Sequence, residues 1–194
     1  MEIEKNSLTD YIKVYDNVMQ EKPLNNFLRI CYETNKFQEA TTIQSDKAVI
    51  LDKEIRNTLT WTPLNASKEY TEAHWCCFLQ YLFTKYFNKY ANDLNLTLKA
   101  NIIDLQVLKY GNKGHYKFHV DSGAGVFRTL SLIFLLNEEY EGGDLVFKNP
   151  TNEKLFNINK KSNRIIVWPS NFLYPHSVLP VTNGTRYSVV SWAL

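Results

Sequence analysis

The chain has no apolar run long enough to cross a bilayer, and its opening residues, MEIEKNSLTDYIKVYDN, alternate charge with apolarity where a secretory leader needs a continuous apolar core. Membrane insertion is not expected, and a cytoplasmic location is. Cysteine is scarce. Cys31, Cys76 and Cys77 make an odd count and the adjacent pair is poorly placed to bond to itself, so no disulfide framework is expected and a reducing compartment is the natural one. An excess of one charge is missing too: 22 Lys and Arg against 20 acidic residues leave a net charge of +2, which gives no electrostatic footprint for nucleic acid or anionic membrane. There is no internal repeat, no low-complexity tract and no Gly/Ser- or Pro-rich linker. With 194 residues and 44% apolar content, a single domain over 1–194 with one well-filled core is expected.

What is present divides near residue 100. The first part, 1–100, leans to helix: after an expected strand from Tyr11 to Val18, Leu24, Phe27, Leu28 and Cys31 fall at helical spacing, and Trp75, Phe78, Leu79, Leu82, Phe83 and Tyr86 repeat the pattern between Glu69 and Asn92. The stretch from Arg56 to Ser67, broken by Pro63, reads as strand and loop. From 101 to 194 the pattern changes to short β-rich runs: Ile102 to Tyr110, His115 to Val120, Phe127 to Leu136, Asp144 to Phe147, Arg164 to Trp168, Tyr174 to Val181 and Arg186 to Ala193, punctuated by Gly and Pro. A mainly β fold with flanking helices, a sandwich, barrel or cupin-like jelly roll, is expected.

Four features then occur in order: HVD at 119–121, a Gly-Gly hairpin at 142–143, YPHSV at 174–178 and GTRYS at 184–188. Residues two apart on a strand share a face, so His119 and Asp121 can aim a nitrogen and an oxygen at one point. Taken alone, His-x-Asp also describes a surface strand running into a turn. With His176 added, two imidazoles and a carboxylate fit one face of an octahedral non-haem Fe(II) ion and leave the other face open. Alternation in NGTRYSVVSWAL puts Arg186, Ser188, Val190 and Trp192 on one face, and a guanidinium buried there needs an anionic partner such as a dicarboxylate.

The runs YGNKGHYKFHVD, FRTLSLIFLLNEEYEGGDLVF and IIVWPSNFLYPHSVLPVTNGTRYSVVSW closely resemble the prolyl-4-hydroxylase-like branch of the Fe(II)/2-oxoglutarate-dependent dioxygenases, over about Ile102 to Trp192. The resemblance implies a double-stranded β-helix and an oxidoreductase that hydroxylates an unactivated C–H bond, peptidyl proline among the candidates, with release of succinate and carbon dioxide. It implies His119, Asp121 and His176 as iron ligands and Arg186 as anchor of the distal carboxylate of 2-oxoglutarate. It further implies Tyr110 as a hydrogen-bond partner of that cosubstrate, Leu145, Val178 and Trp192 as apolar pocket residues, and Arg128 at the substrate mouth. Fe(II), 2-oxoglutarate and dioxygen are the implied cofactors, with ascorbate as an optional reductant. The implied partner is a protein, peptide or small-molecule substrate.

The chain departs from many relatives in having Leu135 where they carry a second tyrosine, so Tyr110 and Ser188 are expected to supply the hydroxyl contacts. Two other readings stay open: a nucleic-acid demethylase or repair oxygenase of the same superfamily, and a non-catalytic jelly-roll binding module. His74, His115 and the Lys160, Lys161, Arg164 turn are expected to be structural or solvated.

Overall fold

The computed structural model describes residues 7–43, 49–62, 69–99, 101–123 and 125–194. A short 3-10 turn (Leu8–Tyr11) leads into β1 (Lys13–Asp16), and α1 (Glu21–Glu33) buries Leu24, Phe27 and Cys31 at the spacing read from the sequence. Short strands β2 (Gln38–Glu39), β3 (Thr42–Ile43), β4 (Val49–Ile50), β5 (Arg56–Asn57) and β6 (Leu59–Trp61) follow, then the 24-residue α2 (Tyr70–Asp93). The remainder is strand: β7 (Ile102–Tyr110), β8 (His115–His119), β9 (Leu130–Leu135), β10 (Tyr140–Gly142), β11 (Leu145–Lys148), β12 (Leu155–Ile158), β13 (Arg164–Pro169), β14 (His176–Val178), β15 (Val181–Gly184) and β16 (Arg186–Ala193).

Seven strands form one antiparallel sheet in the order β1-β13-β9-β16-β7-β6-β2, and five form a second in the order β12-β11-β14-β8-β5. The interleaved order is that of a double-stranded β-helix. Period-two alternation sorts the larger sheet's side chains between two cores. Leu105, Val107, Leu132, Phe134, Ile165, Val167, Tyr187 and Val189 pack with Phe27, Leu79, Phe83 and Phe87 of the helices. The intervening residues Leu108, Tyr110, Ile133, Leu135, Ile166, Trp168, Val190 and Trp192 pack with Leu145, Phe147 and Val178 of the smaller sheet. Covered on both faces, β9 and β16 are buried at every position, which is why they read as nearly unbroken apolar runs.

Six of the described strands escaped the sequence: the two-residue β2, β3 and β4, too short to show a period, and β10, β12 and β15. β10 and β15 pair only with each other through Gly142 and Gly184, and β12 is a four-residue, partly exposed partner of β11, so each is too short to show a period-two alternation. Part of the Arg56 to Ser67 segment, residues 63–67, lies outside the described residues; the part that is described includes β5 and β6. The Lys160–Arg164 turn is a correction to the solvated reading. Arg164 and Lys161 both bond the Asp16 carboxylate of β1, and Lys160 bonds the Tyr140 carbonyl.

Candidate active site

β8 and β14 pair antiparallel with His119 opposite His176, and that register sets the two imidazoles side by side with ring centroids 4.3 Å apart. Asp121 stands two residues beyond His119, past the end of β8 as defined here, in the turn that leads to Ser122. His119 Nε2 is 3.5 Å from Asp121 Oδ1 and His176 Nε2 is 3.5 Å from Oδ2. One donor atom from each of the three lies within 4.8 Å of the others.

The surroundings fix each ligand atom. His119 Nδ1 bonds the Lys117 carbonyl at 2.8 Å and His176 Nδ1 bonds the Tyr174 carbonyl at 3.1 Å. A carbonyl only accepts, so Nδ1 carries the hydrogen, and in that tautomer each ring turns Nε2 inward as the atom free to ligate. Tyr116 stacks on His119 at 3.6 Å between centroids, and Trp168 meets His176 edge-on at 5.0 Å. Asp121 Oδ2 accepts from Ser131 Oγ at 2.6 Å, and Ser131 in turn shares a hydrogen with Ser170 at 2.7 Å.

Burial pushes His176 down to about 4 against the partial pull of Asp121, so this imidazole is neutral at pH 7. Burial of Asp121 acts to raise its pKa, but the imidazoles of His176 and His119 in their protonated forms, together with the Ser131 hydroxyl, outweigh burial and hold the carboxyl well below its usual range. Two lone pairs facing a carboxylate at 3.5 Å make no hydrogen bond with it, and a cation between them turns repulsion into attraction. The donor set therefore fits a divalent ion with open positions.

Beside the triad is a cavity of about 320 Å³ whose wall includes Tyr110, Leu145, Trp168, Val178 and Trp192. Leu145 and Val178 are cross-strand partners of β11 and β14. Arg186 and Ser188 do not reach that wall; they are buried one side chain behind it, and the Arg186 guanidinium carbon lies 5.0 Å from the centre of the Tyr110 ring. All three guanidinium nitrogens of Arg186 and Ser188 Oγ are buried without a hydrogen-bond partner. A buried, unpaired cation costs about 3–5 kcal/mol, so this cluster suits a carboxylate that reaches it.

Tyr140, which the sequence reading missed, belongs to the same cluster. Its hydroxyl is buried and unpartnered; burial raises its pKa while the neighbouring Arg186 cation acts to lower it. Gly143, at φ +65°, makes the junction: a Cβ there would sit 3.1 Å from the Tyr140 ring and 3.3 Å from Arg186 Cδ. Arg128 lies at the cavity wall over Trp192, 3.7 Å from its ring centre. His115 bonds two backbone carbonyls and His74 packs edge-on against Trp75; neither joins the triad.

Residues 105–194 match the model of the 2OG-Fe(II) oxygenase superfamily. Among curated proteins, a PKHD-type hydroxylase of Crocosphaera subtropica is 35% identical over 99 residues, 47% of this chain and 43% of the relative, so the match spans less than half of that protein's length. Among solved structures, a prolyl hydroxylase from Trichoplax adhaerens in complex with a hypoxia inducible factor peptide fragment superposes with a TM-score of 0.77 at 16% identity, covering 96% of this chain and 84% of that one. A Pseudomonas putida prolyl-4-hydroxylase gives 0.74 at 17% identity, with 96% of each chain covered. At these identities the structural likeness establishes the fold.

Proposed function

We propose that this chain, whose residues 105–194 match the model of the 2OG-Fe(II) oxygenase superfamily, hydroxylates an unactivated C–H bond of a protein or small-molecule substrate at the expense of 2-oxoglutarate and dioxygen, releasing succinate and carbon dioxide. The single observation that carries the reading is the convergence of three ligand atoms in a cavity walled by Tyr110, behind which lies a buried guanidinium with no partner of its own. We read 1–194 as one oxygenase domain, the helices of 1–100 backing a jelly-roll core of 101–194. A prolyl residue is the first substrate to test, since the solved relatives are prolyl hydroxylases.

His119, Asp121 and His176 would hold Fe(II), and Arg186 with Ser188 would hold the distal carboxylate of 2-oxoglutarate through the wall formed by Tyr110. Bound there, the metal and cosubstrate supply the oxidising chemistry that the protein's own side chains lack. The chain's work is orientation and exclusion. Lys117 and Tyr174 carbonyls fix the imidazole tautomers, and Ser131 and Ser170 hold the Asp121 carboxylate ionised and aimed. Leu145, Val178 and Trp192 keep water from the cosubstrate and strengthen its pairing with Arg186.

The test is succinate formation from 2-oxoglutarate with added Fe(II), with and without a proline peptide, comparing the protein with His176→Ala. Turnover that needs both iron and His176 supports the reading. Turnover that survives His176→Ala, or none under any condition, overturns it.

A further inference from the structure

The outer half of the cavity carries its own set of unanswered donors, distinct from the Arg186 cluster. Arg56 Nε, Arg128 Nε and Thr42 Oγ1 are each buried without a partner, and all three residues line the cavity that holds the triad. Both arginines are set one side chain from the proposed ligands. Arg56 lies 4.8 Å over the ring of Tyr116, which stacks on His119, and its Nη1 donates to the Thr41 carbonyl at 3.1 Å. Arg128 lies 3.7 Å over Trp192, and its Nη1 donates to the Asp121 carbonyl at 3.4 Å.

Neither cation has a carboxylate of its own inside the cavity: Asp121 favours the Arg128 charge from a distance, but its oxygens face the two imidazoles. Arg128 Nη2 has Asp104 at 3.6 Å, but that carboxylate is 57% exposed and contributes little; burial of Arg128 weighs against its charge. Arg56 has no carboxylate within ion-pair distance among the described residues. On the proposed function, the dication, the Asp121 carboxylate, the cosubstrate dianion and the Arg186 guanidinium cancel one another. Arg56 and Arg128 are then left over, and an unpaired, partly buried guanidinium selects for an anion with a bidentate oxygen edge.

We propose that the prime substrate carries a carboxylate held between Arg56 and Arg128, so that the oxidised carbon lies within a few bonds of an acidic group. The inference rests on the function proposed above and names the substrate class of that same site. The carboxylate has two sources, the free acid of a small molecule or an acidic side chain next to the reactive residue in a peptide, and paired probes separate them. N-acetyl-L-proline is compared with N-acetyl-L-prolinamide, and a blocked Pro-Asp dipeptide with the Pro-Asn dipeptide, by calorimetry on the anaerobic protein loaded with Fe(II) and 2-oxoglutarate.

The acid binds about 10- to 100-fold tighter than its amide in at least one pair, the gain of a charge-assisted contact. The pair that shows it names the source. Arg56→Gln and Arg128→Gln each reduce that ratio towards one, and Arg128→Lys keeps part of it. Because Arg128 also covers Trp192, Arg56→Gln is read first, and circular dichroism confirms that each variant folds. Equal binding of acid and amide, or no binding of either acid, overturns the proposal. A protein that fails to take up 2-oxoglutarate with Fe(II) at all sinks the function itself instead, which the loading titration reveals before any probe is added.

Discussion

The two faces of the seven-stranded sheet are made by the same strands, yet they are chemically opposite. Towards the helices, Leu132, Phe134, Val167 and Val189 meet Phe27, Phe83 and Phe87 in a core whose polar tips are answered, as where Tyr15 donates to Asp93 at 2.9 Å and Tyr90 to the Tyr11 carbonyl at 2.9 Å. Towards the smaller sheet, Tyr140, Trp168, Arg186, Ser188 and Trp192 keep buried donors with no acceptor. A fold that can satisfy polar groups on one face of a sheet and leaves them open on the other has reserved the second face for something it binds. Stability resides on the first face, and ligand affinity on the second.

The sharpest way to test that division is Asp121→Asn. The charge that attracts a cation disappears while the shape stays, so metal-dependent succinate formation falls more than about 100-fold, beyond what loss of an outer hydrogen bond costs. The thermal midpoint of the metal-free protein changes by only a few degrees, because the amide oxygen still accepts from Ser131 and the amide N–H faces an imidazole Nε2. A large fall in that midpoint would mean that this face also carries stability.

The mirror experiment is Phe134→Ala on the helical face. Phe134 is fully buried, and its truncation costs about 3–5 kcal/mol, seen as a drop of roughly 10 °C in thermal midpoint. The fraction that remains folded binds 2-oxoglutarate as before. Equal loss of cosubstrate affinity would show the two faces to be coupled.

The difference between the faces also explains what could be read from the sequence. The helices, and strands β7, β13 and β16, were legible because burial on a fixed period imposes a pattern that Leu79 or Val189 must obey. The convergence on His119, Asp121 and His176 was legible because few histidines occur and their order is restrictive. Tyr140 was not. It sits on a three-residue strand whose position depends on Gly142, Gly143 and Gly184 at positive φ, and sequence alternation says nothing about where such a hairpin folds back. Arg56 was missed for a similar reason, since only the β5 to β8 pairing brings it over Tyr116. Arg186 was placed on the correct face but not at its depth, because depth depends on Tyr110 lying across it.

Tyr140→Phe probes the ligand-facing side more gently. Its hydroxyl makes no well-formed hydrogen bond and has only the Arg186 guanidinium nearby, so stability changes by less than about 1 kcal/mol, whereas the 2-oxoglutarate concentration for half-saturation rises by about 10-fold if the hydroxyl meets the distal carboxylate. Unchanged affinity would remove Tyr140 from the cosubstrate end of the cavity.

The smallest effect belongs to neither face but to the edge that closes the sheet. Asp16 on β1 accepts Arg164 Nε at 2.7 Å and Nη2 at 3.0 Å, with Lys161 Nζ at 3.0 Å, and the Arg164 bonds chiefly hold its carboxyl at about 2, below the ordinary 3.8. A folded-state value below the unfolded one means that the unfolded chain takes up protons first, so the stabilisation is complete above about pH 4 and is lost as pH falls from there towards 2. The Asp16 side chain is 34% exposed, which screens the pair to an expected cost of about 0.5–1 kcal/mol for Asp16→Asn at pH 6. Urea denaturation of the two proteins gives curves that differ at pH 6 and converge as pH falls to about 2 and below. A difference that persists in acid would assign Asp16 a role in β1–β13 packing rather than in charge pairing.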